Sequence, residues 1–479
     1  MIDFGSDAIR EREVRLFPTV RIGSDREAEL RATAALCAMV RAVSEFGRAL
    51  TKLAGGPAGK ITCYTEISIP GELPTDPTLR PDAVIRVVRG QTVWLAMVEF
   101  KVGDNPLEQV QFDDYHRVAK AAGFNALITV SNQTAGPDGL PPLAIDGRRL
   151  RSVPVAHASW DRLLSEARVL TKQAGIQDED QMWMLEEWIR YVTDPQSRII
   201  AAASLGEHWN EVLQAAREGN LLAAARFLPD TVEQWESFLR KLSLRLRAQL
   251  GVDVERKIPR ADKKDPAAFA KRALDDVSRT GVLNGAFRVP DAAGDISVDV
   301  SLQARTVRYG VEVKPPTEGR VQTRISWLLR QLKGDDLPKD LLIKVEWDQI
   351  RVTSQARIGE AQSDPTVLMR DAHQKPIPTD AVPKKFTIEW TTGLSKCKGR
   401  SSAPVLDAIA ADLEHFYRQT VEVLVPFVPK APRLPDVKSE REDHSATAEP
   451  RRTEGELLNE PGPGPAEELM QAPTDSPEP

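Results

Sequence analysis

The stretch Arg80–Tyr115 contains two apolar, strand-forming segments that end in charged residues, and it constrains the fold more than any other part of the chain. The second segment, Thr92–Lys101, is rich in β-branched and aromatic residues and predicts a strand. A glycine-containing turn separates it from the first segment, which carries Asp82. Side chains alternate along a strand, so Glu99 and Lys101 share a face. The pattern predicts a hairpin with two carboxylates and an ammonium at one edge.

Charged groups beside a core cost free energy unless they are paired or bind a metal. Two carboxylates suit Mg²⁺ or Mn²⁺, which prefer oxygen ligands. A neighbouring lysine suits the hydrolysis of a phosphodiester, where it can act on water or on developing charge. The alternative is a solvated strand end, with Asp82 as a turn residue after Pro81.

The flanking residues supply further predicted elements. They are a helix over 25–50, a strand over 61–69, a helix over 104–123 that starts near Pro106, and a strand over 124–131. Gln111 and Tyr115 lie four residues apart and share one helical face. The resulting order is helix, three strands, helix and strand.

Residues 20–160 resemble the PD-(D/E)XK nuclease superfamily, the restriction-endonuclease-like group. Pro81-Asp82 and Glu99-Phe100-Lys101 match its central motif, and the element order matches its αβββαβ core. The resemblance implies an Mg²⁺- or Mn²⁺-dependent nuclease acting on nucleic acid, with DNA expected and RNA left open. It implies Asp82 and Glu99 as metal ligands, the Phe100 carbonyl as a further ligand, and Lys101 as the catalytic lysine.

The segment Gln111 to Tyr115 looks like the Q-x-x-x-Y helix motif of the RecB-like branch of this superfamily. By that resemblance, Gln111 and Tyr115 would orient the site or contact DNA. The superfamily often adds a glutamate from the first helix as a metal ligand. Glu29 is the candidate, because apolar residues at seven-residue spacing follow it, and Glu27 and Glu66 are the alternatives.

The chain is too long for one ordinary core, and composition divides it into four parts. They are an α/β nuclease-like domain (1–158), a helical connector (159–229), an α+β domain of open role (230–429) and an acidic tail (430–479). The tail is rich in Pro, Glu, Ser and Gly with few apolar residues, which predicts disorder.

The α+β domain contains an echo of the central motif. Asp295 or Asp299 precedes Glu312-Val313-Lys314, and a predicted helix follows. Two interpretations are open, a degenerate repeat and a sheet with charges on its surface. The second is favoured, since two prolines follow Lys314.

The net charge of −6 lies entirely in the tail, where residues 430–479 hold 6 basic and 12 acidic residues. The other 429 residues hold 58 of each sign, so nucleic-acid affinity would have to come from local patches and metal. The tail or the α+β domain is a candidate contact for a protein partner, and the oligomeric state stays open.

The chain contains no apolar stretch of about 20 residues, as a membrane span needs, and its first residues lack an apolar signal region. Its cysteines, Cys37, Cys63 and Cys397, are odd in number and far apart, which predicts reduced thiols in the cytoplasm. No zinc spacing, P-loop or dinucleotide fingerprint is present.

Two further functions compete with a nuclease. One is a nuclease-fold module that has lost turnover and binds DNA or protein. The other is a regulatory adaptor whose α+β domain carries the function. Stabilisation by Mg²⁺ or Mn²⁺ would distinguish a functional metal site from both of these alternatives.

Deletion of residues 430–479 is expected to leave the melting temperature nearly unchanged, because a segment without a packed core contributes few stabilising contacts. Differential scanning calorimetry of the full and shortened chains measures this. A large fall in melting temperature after deletion would show that the tail docks.

Overall fold

A five-stranded mixed sheet, in the order β1-β2-β3-β4-β5, forms the first part of the molecule. Its strands are β1 (Lys60–Thr65), β2 (Ala83–Arg89), β3 (Thr92–Phe100), β4 (Ala126–Ser131) and β5 (Val155–Ser159). β1, β2 and β3 are antiparallel, whereas β4 and β5 run parallel to β3. The predicted hairpin is therefore present as β2–β3, and Gly90 supplies a positive φ of 57° in its turn.

The computed structural model describes residues 15–19, 22–65, 67, 80–136, 139–173, 175–334, 336–397 and 401–428. The predicted tail and the alternative ligand Glu66 lie outside these residues. In the described part of the chain, no helix is long and apolar enough to cross a membrane.

Helices cover both faces of the first sheet. They are α1 (Asp25–Ala42), α2 (Ser44–Leu53), α3 (Gln109–Ala121), α4 (Gly147–Ser152), α5 (Trp160–Lys172) and α6 (Glu179–Thr193). One face, including Val98 and Phe100, packs against α1, α2, α5 and α6. The other face, including Met97, packs against α3. This alternation places the side chain of Glu99 on the α3 face.

Three predicted element bounds are wrong. The helix expected over 25–50 is broken at Val43, whose backbone is extended. The helix expected over 104–123 begins only at Gln109, because the amide of Leu107 donates to the Gln133 side chain (2.8 Å) and holds the preceding turn outside the helix. The sequence also predicts a short strand over Arg151-Ser152-Val153-Pro154-Val155, but Arg151 and Ser152 end α4 and β5 starts only at Val155.

The second sheet has seven antiparallel strands, in the order β11-β10-β12-β9-β8-β7-β6. The strands are β6 (Glu255–Arg256), β7 (Val282–Arg288), β8 (Ile296–Ser301), β9 (Thr306–Val313), β10 (Leu342–Trp347), β11 (Thr353–Arg357) and β12 (Pro383–Gly393). The helices are α7 (Trp209–Arg217), α8 (Leu228–Leu250), α9 (Arg260–Lys264), α10 (Pro266–Thr280), α11 (Val321–Gln331), α12 (Ile358–Ser363) and α13 (Ala403–Phe416). The second sheet and its helices share one hydrophobic core, distinct from the cores of the first sheet.

The echo of the central motif in the second sheet is a set of surface ion pairs. Asp299 pairs with Arg308 on the neighbouring strand at 3.0 Å. Glu312 pairs with Lys385 at 2.6 Å, and its side chain is largely exposed. Each acidic residue is thus neutralised by a cross-strand partner, which fits the surface-charge interpretation.

Residues 15–19 form an arm that lies on α6. Glu187, whose side chain is 1% exposed, accepts from the backbone amide of Leu16 at 3.0 Å and pairs with Arg15 and Arg190. Thr19 donates to Asp194 at 2.9 Å. A buried carboxylate with three donors therefore attaches the arm to the first core.

Glu187→Ala is expected to lower the free energy of unfolding by about 1–3 kcal/mol, because it leaves the buried end of Arg15 and the Leu16 amide without their acceptor. Urea unfolding measures the change. The adjacent Glu186→Ala removes an exposed carboxylate and is the matched control, with an expected change below about 0.5 kcal/mol. Equal effects of the two substitutions would contradict the role of Glu187.

Candidate active site

The hairpin brings Asp82, Glu99 and Lys101 together at one end of β2 and β3. Ala83 is paired with Val98, so the antiparallel register puts Asp82 opposite Glu99. Oδ2 of Asp82 accepts from the backbone amide of Phe100 at 2.8 Å. Nζ of Lys101 lies 2.6 Å from Oε1 of Glu99. The two carboxyl groups are within hydrogen-bonding reach of each other.

Burial dominates the electrostatics of this cluster. Glu99 is 3% exposed, and burial together with the negative charge of Asp82 raises its pKa to about 8. Burial also raises the pKa of Asp82, although the Phe100 amide opposes the shift. Burial lowers the pKa of Lys101, but the charge of Glu99 and a hydrogen bond to it outweigh that effect and raise it overall. Burial thus favours the protonated forms of Asp82 and Glu99, while the charge of Lys101 favours their ionised forms.

The first helix adds a third carboxylate beside the hairpin. Glu29 on α1 is half-buried, and burial raises its pKa while the nearby charges of Lys101 and Asp82 act on it in opposite directions. Glu27 is turned to other partners, since it accepts from the amide of Gly23 at 3.0 Å and pairs with Arg31. Of the two described alternatives on α1, Glu29 is the one that lies at the site.

Helix α3 contributes Gln111 and Tyr115 to the site. The hydroxyl of Tyr115 donates to the backbone carbonyl of Arg80 at 2.9 Å, two residues before Asp82. It is also within hydrogen-bonding reach of Glu99 and Gln111. Burial, followed by the charge of Glu99, raises the pKa of Tyr115, so the hydroxyl keeps its proton. Tyr115 therefore holds the turn that carries Asp82.

Trp160 is a positioning residue that sequence reasoning missed. It is fully buried at the start of α5, directly after the helix cap Ser159, and its indole N–H donates to the carbonyl of Lys101 at 2.7 Å. The amide of Lys101 donates to the carbonyl of Val130 at 2.8 Å. Both backbone groups of Lys101 are thus fixed. The cap was readable from the sequence, but the contact joins residues 59 positions apart.

A buried polar row continues from Glu99 across the sheet. Thr129 is the register partner of Glu99 on β4, and His157 is the partner of Thr129 on β5. His157 Nε2 donates to the carbonyl of Gln133 at 2.8 Å, so Nδ1 accepts from the Thr129 hydroxyl at 2.8 Å. Burial lowers the pKa of His157, which keeps the ring neutral. The row carries hydrogen bonds without adding charge.

Two of the three cysteines are in contact in the folded chain, although they are far apart in the sequence. The buried Cys37 thiol on α1 contacts Cys63 on β1, and this hydrogen bond, with burial, raises the pKa of Cys37. Both thiols are free.

The site opens onto a groove of about 540 Å³ that contains Glu29, Lys101 and Gln111. Among the described residues, no group of three or more His, Cys, Asp or Glu side chains is arranged to hold a metal ion. The donor set nevertheless fits Mg²⁺ or Mn²⁺, which can bind through one or two carboxylates and keep several waters. Oε2 of Glu99 is buried and accepts no hydrogen bond within the described part of the chain. A hard cation would give that orphaned oxygen a partner.

No protein-family model, curated protein or solved structure matches this chain. The function is therefore inferred from the geometry of the site itself.

Glu99→Gln is expected to make the metal-free protein less sensitive to alkaline pH. The folded-state pKa of Glu99 is raised to about 8 from 4.5, so the folded state binds the extra proton and loses stability as pH rises between these values. The glutamine variant lacks this loss. Its free energy of unfolding should exceed that of the parent by a few kcal/mol near pH 9, and the difference should shrink towards pH 5.

Urea unfolding in EDTA at several pH values measures this difference. Mg²⁺ should restore stability to the parent at high pH and have little effect on the variant. A constant difference between the two proteins across the pH range would contradict the buried-charge account of Glu99.

Proposed function

We propose that this chain is a metal-dependent nuclease of the PD-(D/E)XK type, acting on nucleic acid with DNA as the expected substrate. The observation that carries the proposal is the convergence of Asp82 and Glu99 at one sheet edge, with Nζ of Lys101 2.6 Å from Glu99. Burying two carboxylates side by side is costly and is typical of sites that bind a cation.

The surrounding fold supports the same proposal. The order α1, β1, β2, β3, α3, β4 has the arrangement of an αβββαβ core, with α2 as a continuation after the break at Val43. Three antiparallel strands are followed by a parallel strand, β4, beside β3. This topology puts the end of β3 in the middle of the sheet, between β2 and β4.

In the proposed mechanism, Asp82 and Glu99 would hold Mg²⁺ or Mn²⁺, and Glu29 is a further carboxylate on α1 near Lys101 and Asp82. A bound ion supplies Lewis-acid polarisation of the phosphodiester and lowers the pKa of water. The Phe100 amide holds the Asp82 carboxylate, and Tyr115 holds the backbone before it. These contacts fix both carboxylates before substrate arrives, which preorganises the site.

Lys101 acts on the reacting phosphate. In hydrolysis a water oxygen forms a bond to phosphorus, an ester oxygen leaves, and a proton passes to that oxygen. The Lys101 ammonium can stabilise the negative charge that develops on the phosphoryl oxygens. Its backbone is fixed by Trp160 and Val130, so only the side chain has to adjust.

Asp82→Asn and Lys101→Ala are expected to abolish cleavage for different reasons. The first removes a ligand charge and should also weaken metal binding. The second removes a group needed in the transition state and should leave metal binding intact or stronger, because a nearby positive charge is lost. Cleavage assays on duplex and single-stranded DNA and RNA, with Mg²⁺ or Mn²⁺ and with EDTA, measure activity, and calorimetric titration measures metal binding.

Glu29→Gln and Glu27→Gln form the matched control pair. Both substitutions remove one carboxylate from α1, but only Glu29 lies beside Lys101. Activity should fall in the first variant and stay near the parent level in the second. Equal cutting by the parent and Lys101→Ala would rule out this site. If the folded parent neither binds metal nor cleaves any substrate, that result would favour a binding module that has lost turnover.

A further inference from the structure

A basic groove of about 760 Å³ runs between α5, α6 and α8, outside the candidate active site. Its charged lining consists of four cations, Arg168, Lys172, Arg190 and Arg245, and one carboxylate, Glu186. Thr171 and Gln249 add neutral groups that can donate hydrogen bonds. The groove therefore offers both positive charge and donors to a ligand.

The cations in this groove are unequally compensated. Arg245 pairs with Glu414, and Arg190 pairs with the buried Glu187 at 3.0 Å. Arg168 is half-buried and has no ion pair within the described part of the chain. Burial and the neighbouring charge of Arg245 both lower the pKa of Arg168, while the charges of Asp161 and Glu414 raise it. Arg168 thus lies near Arg245, and of the two only Arg245 forms an ion pair among the described residues.

Another cleft, lined in part by α8, has the opposite character. That cleft, of about 900 Å³, is lined by six carboxylates and three cations. The chain outside 430–479 carries equal numbers of acidic and basic residues, so a polyanion can be attracted only where the local balance is positive. The basic groove has that balance, and the large cleft does not.

Helix α5 links the basic groove to the candidate active site. Its first residue, Trp160, bonds to the carbonyl of Lys101, and Arg168 and Lys172 follow on the same helix. At a rise of about 1.5 Å per residue, these two residues lie about 12 and 18 Å along the helix from Trp160. A nucleic-acid strand spans this distance in about four or five nucleotides, at roughly 3.4 Å each.

We propose that the basic groove binds the phosphodiester backbone of the nucleic-acid substrate at a distance from the cleaved bond. The proposal rests on the proposed nuclease function for the identity of the ligand. Arg168 and Lys172 supply the phosphate contacts, and Arg245 adds positive charge beside them. Contacts of this kind set affinity and register rather than sequence preference.

The test is the double substitution Arg168→Gln with Lys172→Gln, assayed for binding of short fluorescent DNA and RNA oligonucleotides in EDTA. Affinity should fall at least about tenfold at low salt, and the slope of log K against log salt should shrink by about two. Arg330 is an exposed cation on α11, and Arg330→Gln is the control substitution. It should leave both the oligonucleotide affinity and the salt slope unchanged. The melting temperature of the double variant should be unchanged or higher than that of the parent, because the substitutions relieve like-charge repulsion.

Binding in EDTA separates this proposal from the proposed catalysis. If the double variant loses oligonucleotide affinity and the parent cleaves no substrate with any metal, the groove proposal is supported and the nuclease proposal is overturned. Cleavage by the parent, with oligonucleotide affinity unchanged in the double variant, would overturn the groove alone. The groove proposal also fails if the parent binds no oligonucleotide at low salt. It fails equally if the double variant loses affinity for a polyglutamate peptide and not for oligonucleotides, since the ligand would then be an acidic protein segment.

Discussion

The burial of Glu99 opposite Asp82 is the interaction on which the first part of the molecule depends. A carboxylate removed from water is tolerated only where other groups compensate for its charge. Two such groups come from separate elements, Lys101 from the end of β3 and Tyr115 from α3, and Glu29 on α1 adds a further carboxylate beside them. The elements must therefore meet at one end of the β2–β3 hairpin for these side chains to lie together.

The first sheet separates structural and chemical roles between its two faces. One face is apolar and is covered by α1, α2, α5 and α6. The other carries the row of Glu99, Thr129 and His157 beside α3. Trp160 connects the two sides, because it packs in the apolar core and bonds to the backbone of Lys101. The stability of the core and the position of Lys101 are thus coupled.

Local sequence patterns predicted which helices and strands form better than they predicted the residues at which these begin and end. The β2–β3 hairpin and the helix capped by Ser159 follow from alternation and capping, which depend on neighbouring residues. The late start of α3 depends on a bond between Leu107 and Gln133, 26 residues away. The contact of Cys37 with Cys63 likewise joins a helix to a strand across the core. Such contacts leave no periodic signal in the chain.

The sequence by itself determined that Asp82, Glu99 and Lys101 share one edge, because strand alternation and a tight turn are local properties of the backbone. It also determined that the charge excess lies in residues 430–479, since that is a matter of counting. Only the tertiary structure decided that Glu29 rather than Glu27 lies at the site, and that Arg168 lines a groove and forms no ion pair with the described residues. These outcomes depend on how helices pack against the sheet, and packing is set by side chains distant in the sequence.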